Sequence, residues 1–421
     1  MESFFNRKMK RKELVAYNCL LAMEKNYLLG KGKKQKKINC SSNTVSNQIN
    51  SINGEELFIP WRCTQQNDAA EEMNIDDTAE DIHFPEQIVM NILSRLPVRS
   101  LQRFKCVSPF WSALISDHYF TMKHLNRAKN DLNSQRLLTA NYHVGFNSFS
   151  LSSPVQVIEN EQRLDGPPNY YSIRRCYDGL ALLSFFLTKK LRSFIFSLRC
   201  WVFGLGYDAT GDDYKILAAD LNVGSFGNVS VRILPLKSDS WRKIDKYPTG
   251  MRLSSGYSDC VRSSLTFIHG AFYWLIYKSP CYTIMSFNIS NEVYREIPLL
   301  DWMYRMWMFK IDHGVQVLRG MLYYYSTHNI EGCPSTFKLW TMKDYGVKES
   351  WIQWLTIREM GVGSAIPHCV FADGEVLLRL RKFPPITSLY WTSIRGSFDL
   401  FPEFRRTFVY KESLISPKLL I

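Results

Sequence analysis

In the stretch FPEQIVMNILSRLPVRSLQRFKCVSPFWSALISDHYF, residues 84–120, apolar side chains recur every three to four positions, the spacing of amphipathic helices. Ile88, Val89, Ile92, Leu93 and Leu96 make one such face. Pro85 suits a first helical turn, Glu86 favours the positive end of the helix dipole, and Pro97 ends the helix. A second helix is expected from about Ser100, with Leu101, Phe104 and Val107 on one face. Ser108-Pro109 then reads as an N-cap followed by a first-turn proline, opening a third helix that carries Trp111, Leu114 and Ile115. Three short helices in about 40 residues are too small a unit to bury this much apolar surface among themselves. Part of it is therefore expected to face a partner.

Phe84-Pro85-Glu86, Ile92-Leu93, Leu96-Pro97-Val98, Ser100-Leu101, Phe104, Cys106-Val107-Ser108, Trp111 and Leu114-Ile115 together resemble an F-box. The resemblance covers the whole motif. Phe84 stands where the family usually has Leu, and Pro109 where a basic residue is common; the first keeps an apolar side chain and the second falls at a helix start. The resemblance implies docking on the Skp adaptor of a Skp–cullin–F-box ubiquitin ligase. The docking residues it implies are Phe84, Pro85, Ile88, Ile92, Leu93, Leu96, Pro97, Leu101, Phe104, Val107, Trp111, Leu114 and Ile115. For Leu93, Phe104 and Trp111, taken singly, a place in an ordinary helical core fits the sequence equally well, whereas Phe84, Pro85 and Ile88 point to the adaptor.

Upstream, residues 1–37 carry a net charge of +8 and residues 38–83 one of −8, so the formal +13 of the 421-residue chain belongs to residues 84–421. Lys31, Lys33, Lys34, Lys36 and Lys37 form a dense basic run that reads as a nuclear import signal, a phosphate-attracting arm or a solvated tail. Ser, Asn, Gln and acidic residues fill Ile38 to Asp81, leaving nothing to offset the entropy of ordering. Residues 1–81 are thus expected to be a disordered basic/acidic extension, followed by a helical domain at 82–125.

From residue 140 to 421 short strand-like runs alternate with turns, and an all-β body is expected. One element is a hairpin around a glycine: Cys176-Tyr-Asp-Gly-Leu, Phe267-Ile-His-Gly-Ala, Val317-Leu-Arg-Gly-Met and Val370-Phe-Ala-Asp-Gly-Glu. The other is a strand, a polar turn and an aromatic-led strand ending in Trp241 to Ile244, Tyr294 to Ile297 and Trp351 to Trp354. Both recur about every 50 residues, the period of a four-stranded kelch-type propeller blade. The long interval from Gly179 to Gly270 breaks the series. Phe203-Gly-Leu-Gly-Tyr-Asp, Ser238-Asp-Ser-Trp241, His269-Gly-Ala-Phe-Tyr-Trp274, Ser286 to Tyr294, Trp340 to Trp351 and Tyr410 to Pro417 resemble the plant F-box-associated domain, a substrate-binding body, with a departure near 184–201 where a usual Trp-Asn-Pro phrase is missing. Some relatives in that family act in pollen self-incompatibility. The expected fold is α+β and multidomain: a three-helix F-box followed by a kelch-like β-propeller.

Other chemistry is sparse. Gly204-x-Gly206-x-x-Ala209 nominally fits a dinucleotide fingerprint, but the residues after it open no helix and a β-turn is expected. The ten cysteines form no close pair, which argues against zinc clusters and disulfide scaffolds and fits a reducing compartment. The apolar run Leu180 to Leu198 is broken by Lys189, Lys190 and Arg192, so no membrane span and no membrane partner are expected. The eight histidines are dispersed, and no catalytic residues, metal or cofactor are expected. Aromatic residues Trp302, Tyr304, Trp307 and Tyr324 are candidates for substrate contact or for packing between blades. The reading is therefore a non-catalytic substrate adaptor of the cytoplasm or nucleus, bound to the Skp adaptor, through it to cullin, and to a substrate protein of unknown identity. The alternative is a nucleic-acid-associated or glycan-binding propeller with a degenerate F-box.

Overall fold

Helix α1 (Glu86–Leu93) ends before Pro97, and helix α2 (Val98–Phe104) starts directly after it. Ser108 caps helix α3 (Pro109–Ser116) by accepting the amide of Trp111 at 3.2 Å. One residue after α3, the Asp117 carboxylate caps a further helix, α4 (His118–Asn130), accepting the Phe120 amide at 3.1 Å. Four helices thus stand where three were expected, and the last runs beyond residue 125. Asp117 restarts the chain in helical conformation because an N-cap carboxylate satisfies amides that would otherwise be orphaned.

The computed structural model describes residues 14–18 and, with interruptions, 85–415; the breaks are 142–144, 152–161, 165–170, 186–200, 221–229, 239, 245–251, 254–264, 279–280, 305–309, 330–332, 360–361, 372, 383–385, 394–395 and 403–405. Residues 85–415 hold the four helices followed by a β-propeller. Among the described residues the strands form six antiparallel sheets, four of them four-stranded. The first blade in chain order combines Gln135–Asn141, Gly145–Ser150 and Gln162–Leu164 with the last strand of the chain, Arg406–Lys411. The second contains Tyr171–Tyr177 and Leu180–Phe185, edged by Leu14–Asn18, which pairs antiparallel with Leu180–Phe185. Blades three, five and six begin with Trp201–Asp208, Lys310–Leu318 and Val362–Val370, and the fourth with Arg252–Leu253 and Thr266–Ile268, both paired with Ala271–Lys278.

The ring closes through neighbouring first strands. Tyr171–Tyr177 packs against Trp201–Asp208 on one side and Arg406–Lys411 on the other, and the remaining first strands continue the circle. Glycine hairpins build the inner edge of the second, fourth and fifth blades: Asp178-Gly179, His269-Gly270 and Arg319-Gly320 all have positive φ, between 48° and 78°, as two-residue hairpin turns of the right twist require. The third blade turns instead through Ala209 to Asp212, where Asp212 has φ 45°. That turn is four residues long and puts Asp212, not Gly211, at positive φ, so the spacing from Gly179 runs to Gly270 without the two-residue pattern between.

Aromatic and branched side chains fill the spaces between blades. Gly204 and Gly206 lie in the strand Trp201–Asp208, not before a helix, so the dinucleotide reading falls. A Cβ at Gly206 would meet the Phe267 ring at 2.5 Å, and one at Gly204 the Phe272 ring at 2.6 Å. The glycines serve close packing of the third blade on the fourth.

Candidate functional site

Two surfaces carry chemistry: one side of the helical module and the cavity enclosed by the blades. In the helical module, Met90, Leu93, Val98, Leu101, Leu114, Ile115 and Phe120 form a closed core joined by Leu414 from the end of the chain. Val89, Leu96, Phe104 and Trp111 wall it, with the Phe104 and Trp111 rings edge to face at 5.4 Å. Leu93, Leu101, Leu114 and Ile115 are therefore core side chains and not docking contacts, a correction to the expected set. The helical repeat that made them conspicuous is what turns them inward. Pro85 and Pro97 are exposed, and Phe84 lies outside the described residues. The large apolar side chains left outside are Ile88, Ile92, Val107 and Phe110, at 45%, 57%, 65% and 55% exposure, with Tyr119 of α4 at 62%. Phe110 was missed in the sequence because Trp111 beside it carries the motif.

The second surface is a cavity of 840 Å³ lined from every side of the ring and, at one end, by Leu125, Lys129 and Asn130 of α4. That end is a clasp between helix and propeller. Lys129 Nζ lies 2.8 Å from Asp178 Oδ1, a carboxylate side chain only 3% exposed, and Tyr214 Oη donates to Asp178 Oδ2 at 3.2 Å. Burial holds the Asp178 carboxyl above the usual carboxylate range, against the pull of Lys129. Lys411 Nζ donates to the carbonyls of Ala128, Lys129 and Asp131 at 2.6–2.9 Å, a cation at the negative end of α4. Desolvation pushes the Lys411 ammonium down to about 8.

Farther in, Arg174, Arg175, Arg319 and Arg379 line the cavity with His368 and Thr407. A register shift between Ile173 and Arg175 interrupts the second blade's inner strand, and such irregularities re-aim side chains. Arg175 Nε donates to the Leu265 carbonyl at 3.1 Å, and burial lowers its guanidinium to about 10. Thr407 Oγ1 and His368 Nε2 are 2.7 Å apart. Burial first, then the nearby Arg379 and Arg175 charges, press His368 down to about 3.

Of the substrate-contact candidates, Tyr324 is corrected: it is 0% exposed, packed between Trp340 and Trp351 with ring centres 5.3 and 6.4 Å away. Trp302 and Tyr304 fall in the short helix α5 (Asp301–Tyr304), with side chains outside the described residues, as is Trp307 entirely. The structure does bring histidines together that the sequence leaves dispersed. His313 and His328 lie on paired strands, with Ser326 Oγ 2.8 Å from His328 Nε2. All three are buried away from the cavity lining. Among the described residues no group of three or more His, Cys, Asp or Glu side chains could hold a metal ion, and no helix is long and apolar enough to cross a membrane.

Comparison with known proteins agrees with this architecture. The F-box domain model matches residues 82–123, and the F-box associated beta propeller domain model matches residues 188–379. The chain carries an F-box and an F-box-associated β-propeller. An F-box/kelch-repeat protein of Arabidopsis thaliana is 27% identical over 336 residues, 72% of this chain and 88% of the relative. From the same plant, F-box/WD-40 repeat-containing protein 1 is 29% identical over 52% of this chain and 56% of its own length. The F-box protein CPR1 of that plant is 24% identical, over 65% and 73%. Among solved structures, prolyl oligopeptidase B from Galerina marginata aligns with 68% of this chain and 33% of its own at 12% identity, with a TM-score of 0.29. So distant a likeness bears on neither activity nor mechanism.

Proposed function

We propose that this F-box protein is the substrate-recognition subunit of a Skp–cullin–F-box ubiquitin ligase. The observation that carries the reading is the apolar set Ile88, Ile92, Val107 and Phe110, left in solvent beside a helical core that is already closed. Exposed apolar groups of this kind gain when a partner removes them from water, by roughly 25 cal/mol per Å². The F-box docks on the Skp adaptor and through it on cullin, and the propeller presents a target protein for ubiquitination and proteasomal degradation. The chain itself is non-catalytic; its contribution is proximity and orientation of the target. It works in the cytoplasm or nucleus.

The test is a binding titration of the full chain with a plant Skp adaptor. Ile88→Asp with Ile92→Asp places charge on the exposed face without entering the core, so binding is expected to be lost while the helical content is unchanged. Unchanged adaptor binding by that double variant, or no binding by folded wild type, overturns the reading. Leu93→Asp is the contrasting control: it introduces charge into the core and unfolds the module.

A further inference from the structure

The propeller cavity has an unbalanced charge that ubiquitin-ligase assembly does not use. Among the described residues, its lining carries six basic side chains, Lys129, Arg174, Arg175, Arg319, Arg379 and Lys411, and one carboxylate, Asp178. The two lysines are committed: Lys129 holds Asp178, and Lys411 holds the end of α4. Of the four arginines, Arg175 and Arg319 come from different blades and commit little of their donor capacity to the protein. Arg174 lies over the Phe203 ring at 5.6 Å. Arg175 spends only its Nε on a protein acceptor, the Leu265 carbonyl. Arg319 makes a single long bond from Nε to the Val370 carbonyl at 3.4 Å, and its buried Nη2 has no hydrogen-bond partner.

Guanidinium groups remain charged at neutral pH and carry five donors in a fork that matches the oxygens of a phosphate. A guanidinium donor withdrawn from water needs an acceptor, and an orphaned one such as Arg319 Nη2 is costly. His368 senses the resulting field, since the Arg379 and Arg175 charges help keep it neutral. A volume of 840 Å³ matches sites for small molecules, which run to roughly 300–1,000 Å³.

We propose that the propeller cavity is a binding site for a small ligand bearing more than one phosphate group, with Arg175 and Arg319 as its direct anion contacts. The enclosed position of these arginines favours a small ligand over a protein segment. The ligand bridges inner strands of different blades and so adds stability to the ring that presents the target.

The probe is inorganic tripolyphosphate, titrated calorimetrically into the full chain at constant ionic strength, with sulfate and a glutamate-rich peptide as comparisons. Saturable one-to-one binding is expected, accompanied by a rise in unfolding temperature. Arg175→Gln and Arg319→Gln are each expected to weaken it about tenfold to a hundredfold, the usual worth of a charge-assisted hydrogen bond. Lys33→Gln with Lys34→Gln, in the N-terminal basic run, leaves it unchanged. Arg319 sits in the hairpin turn with Gly320 and not in a strand, so its variant remains informative where Arg175→Gln compromises folding. Non-saturating binding, equal loss in the lysine control, undiminished binding in folded Arg319→Gln, or tighter binding of the acidic peptide than of tripolyphosphate each overturns the proposal.

Discussion

Lowering the pH from 7.5 to 5.5 is expected to destabilise the propeller through histidines that it buries uncharged. Burial holds both His313 and His368 down to about 3, against an ordinary value near 6.5. In that window the unfolded chain binds protons at these positions and the folded chain does not, so stability falls as pH falls. Each histidine costs roughly 1 kcal/mol or a little more at pH 5.5, so about 2–3 kcal/mol together. His328, lowered to about 4 by burial and by Lys338, acts in the same direction. Asp178 and Glu412, raised by burial, act in the opposite sense, but they do so equally in any histidine variant. The assay is urea unfolding of the full chain followed by tryptophan fluorescence at pH 7.5, 6.5 and 5.5, for wild type and for His313→Gln with His368→Gln. The variant is expected to lose about 2–3 kcal/mol less than wild type between the two extremes, whatever its absolute stability. Parallel pH dependences in the two proteins would refute the argument that these imidazoles are kept neutral by the fold.

The clasp between helix and propeller gives a second test. Lys129→Met leaves the Asp178 carboxylate buried with the Tyr214 hydroxyl as its remaining side-chain donor. Because Lys129 is itself 39% exposed, the expected loss is at the low end for breaking a buried pair, about 2–3 kcal/mol. Adding Asp178→Asn is expected to restore most of it in the same urea assay. Separately, Gly206→Ala drives a methyl into the Phe267 ring, itself hemmed in by Tyr177 and Phe272. An overpacking cost of about 1–3 kcal/mol is expected, and a lowered unfolding temperature is the check.

The blades were legible because each rests on local chemistry. His269-Gly270 and Arg319-Gly320 announce tight hairpins, and the aromatic-led strands starting at Tyr294 and Trp351 announce the blade's outer half. The third blade was obscured because its turn runs over four residues, with Asp212 and not Gly211 at positive φ. The F-box was legible as a motif but not as a surface. Helix α1 is apolar around most of its circumference, so periodicity alone does not tell that Leu93 faces the core and Ile88 and Ile92 face solvent. The cavity was invisible for a different reason. Arg175, Arg319 and Arg379 come from three blades and meet only when the ring is closed.

The final strand, Arg406–Lys411, completes the first blade, and three residues later Leu414 enters the core of the F-box while Ile415 packs with Leu125 of α4. Synthesis runs from the N-terminus at roughly 5–20 residues per second, so the helices emerge on the order of tens of seconds before the side chain that fills their last gap. A chain broken off anywhere in the propeller presents helices with an open wall. Under the proposed function, damage to the end of the target-binding propeller also unsettles the core beneath the helices that join the ligase.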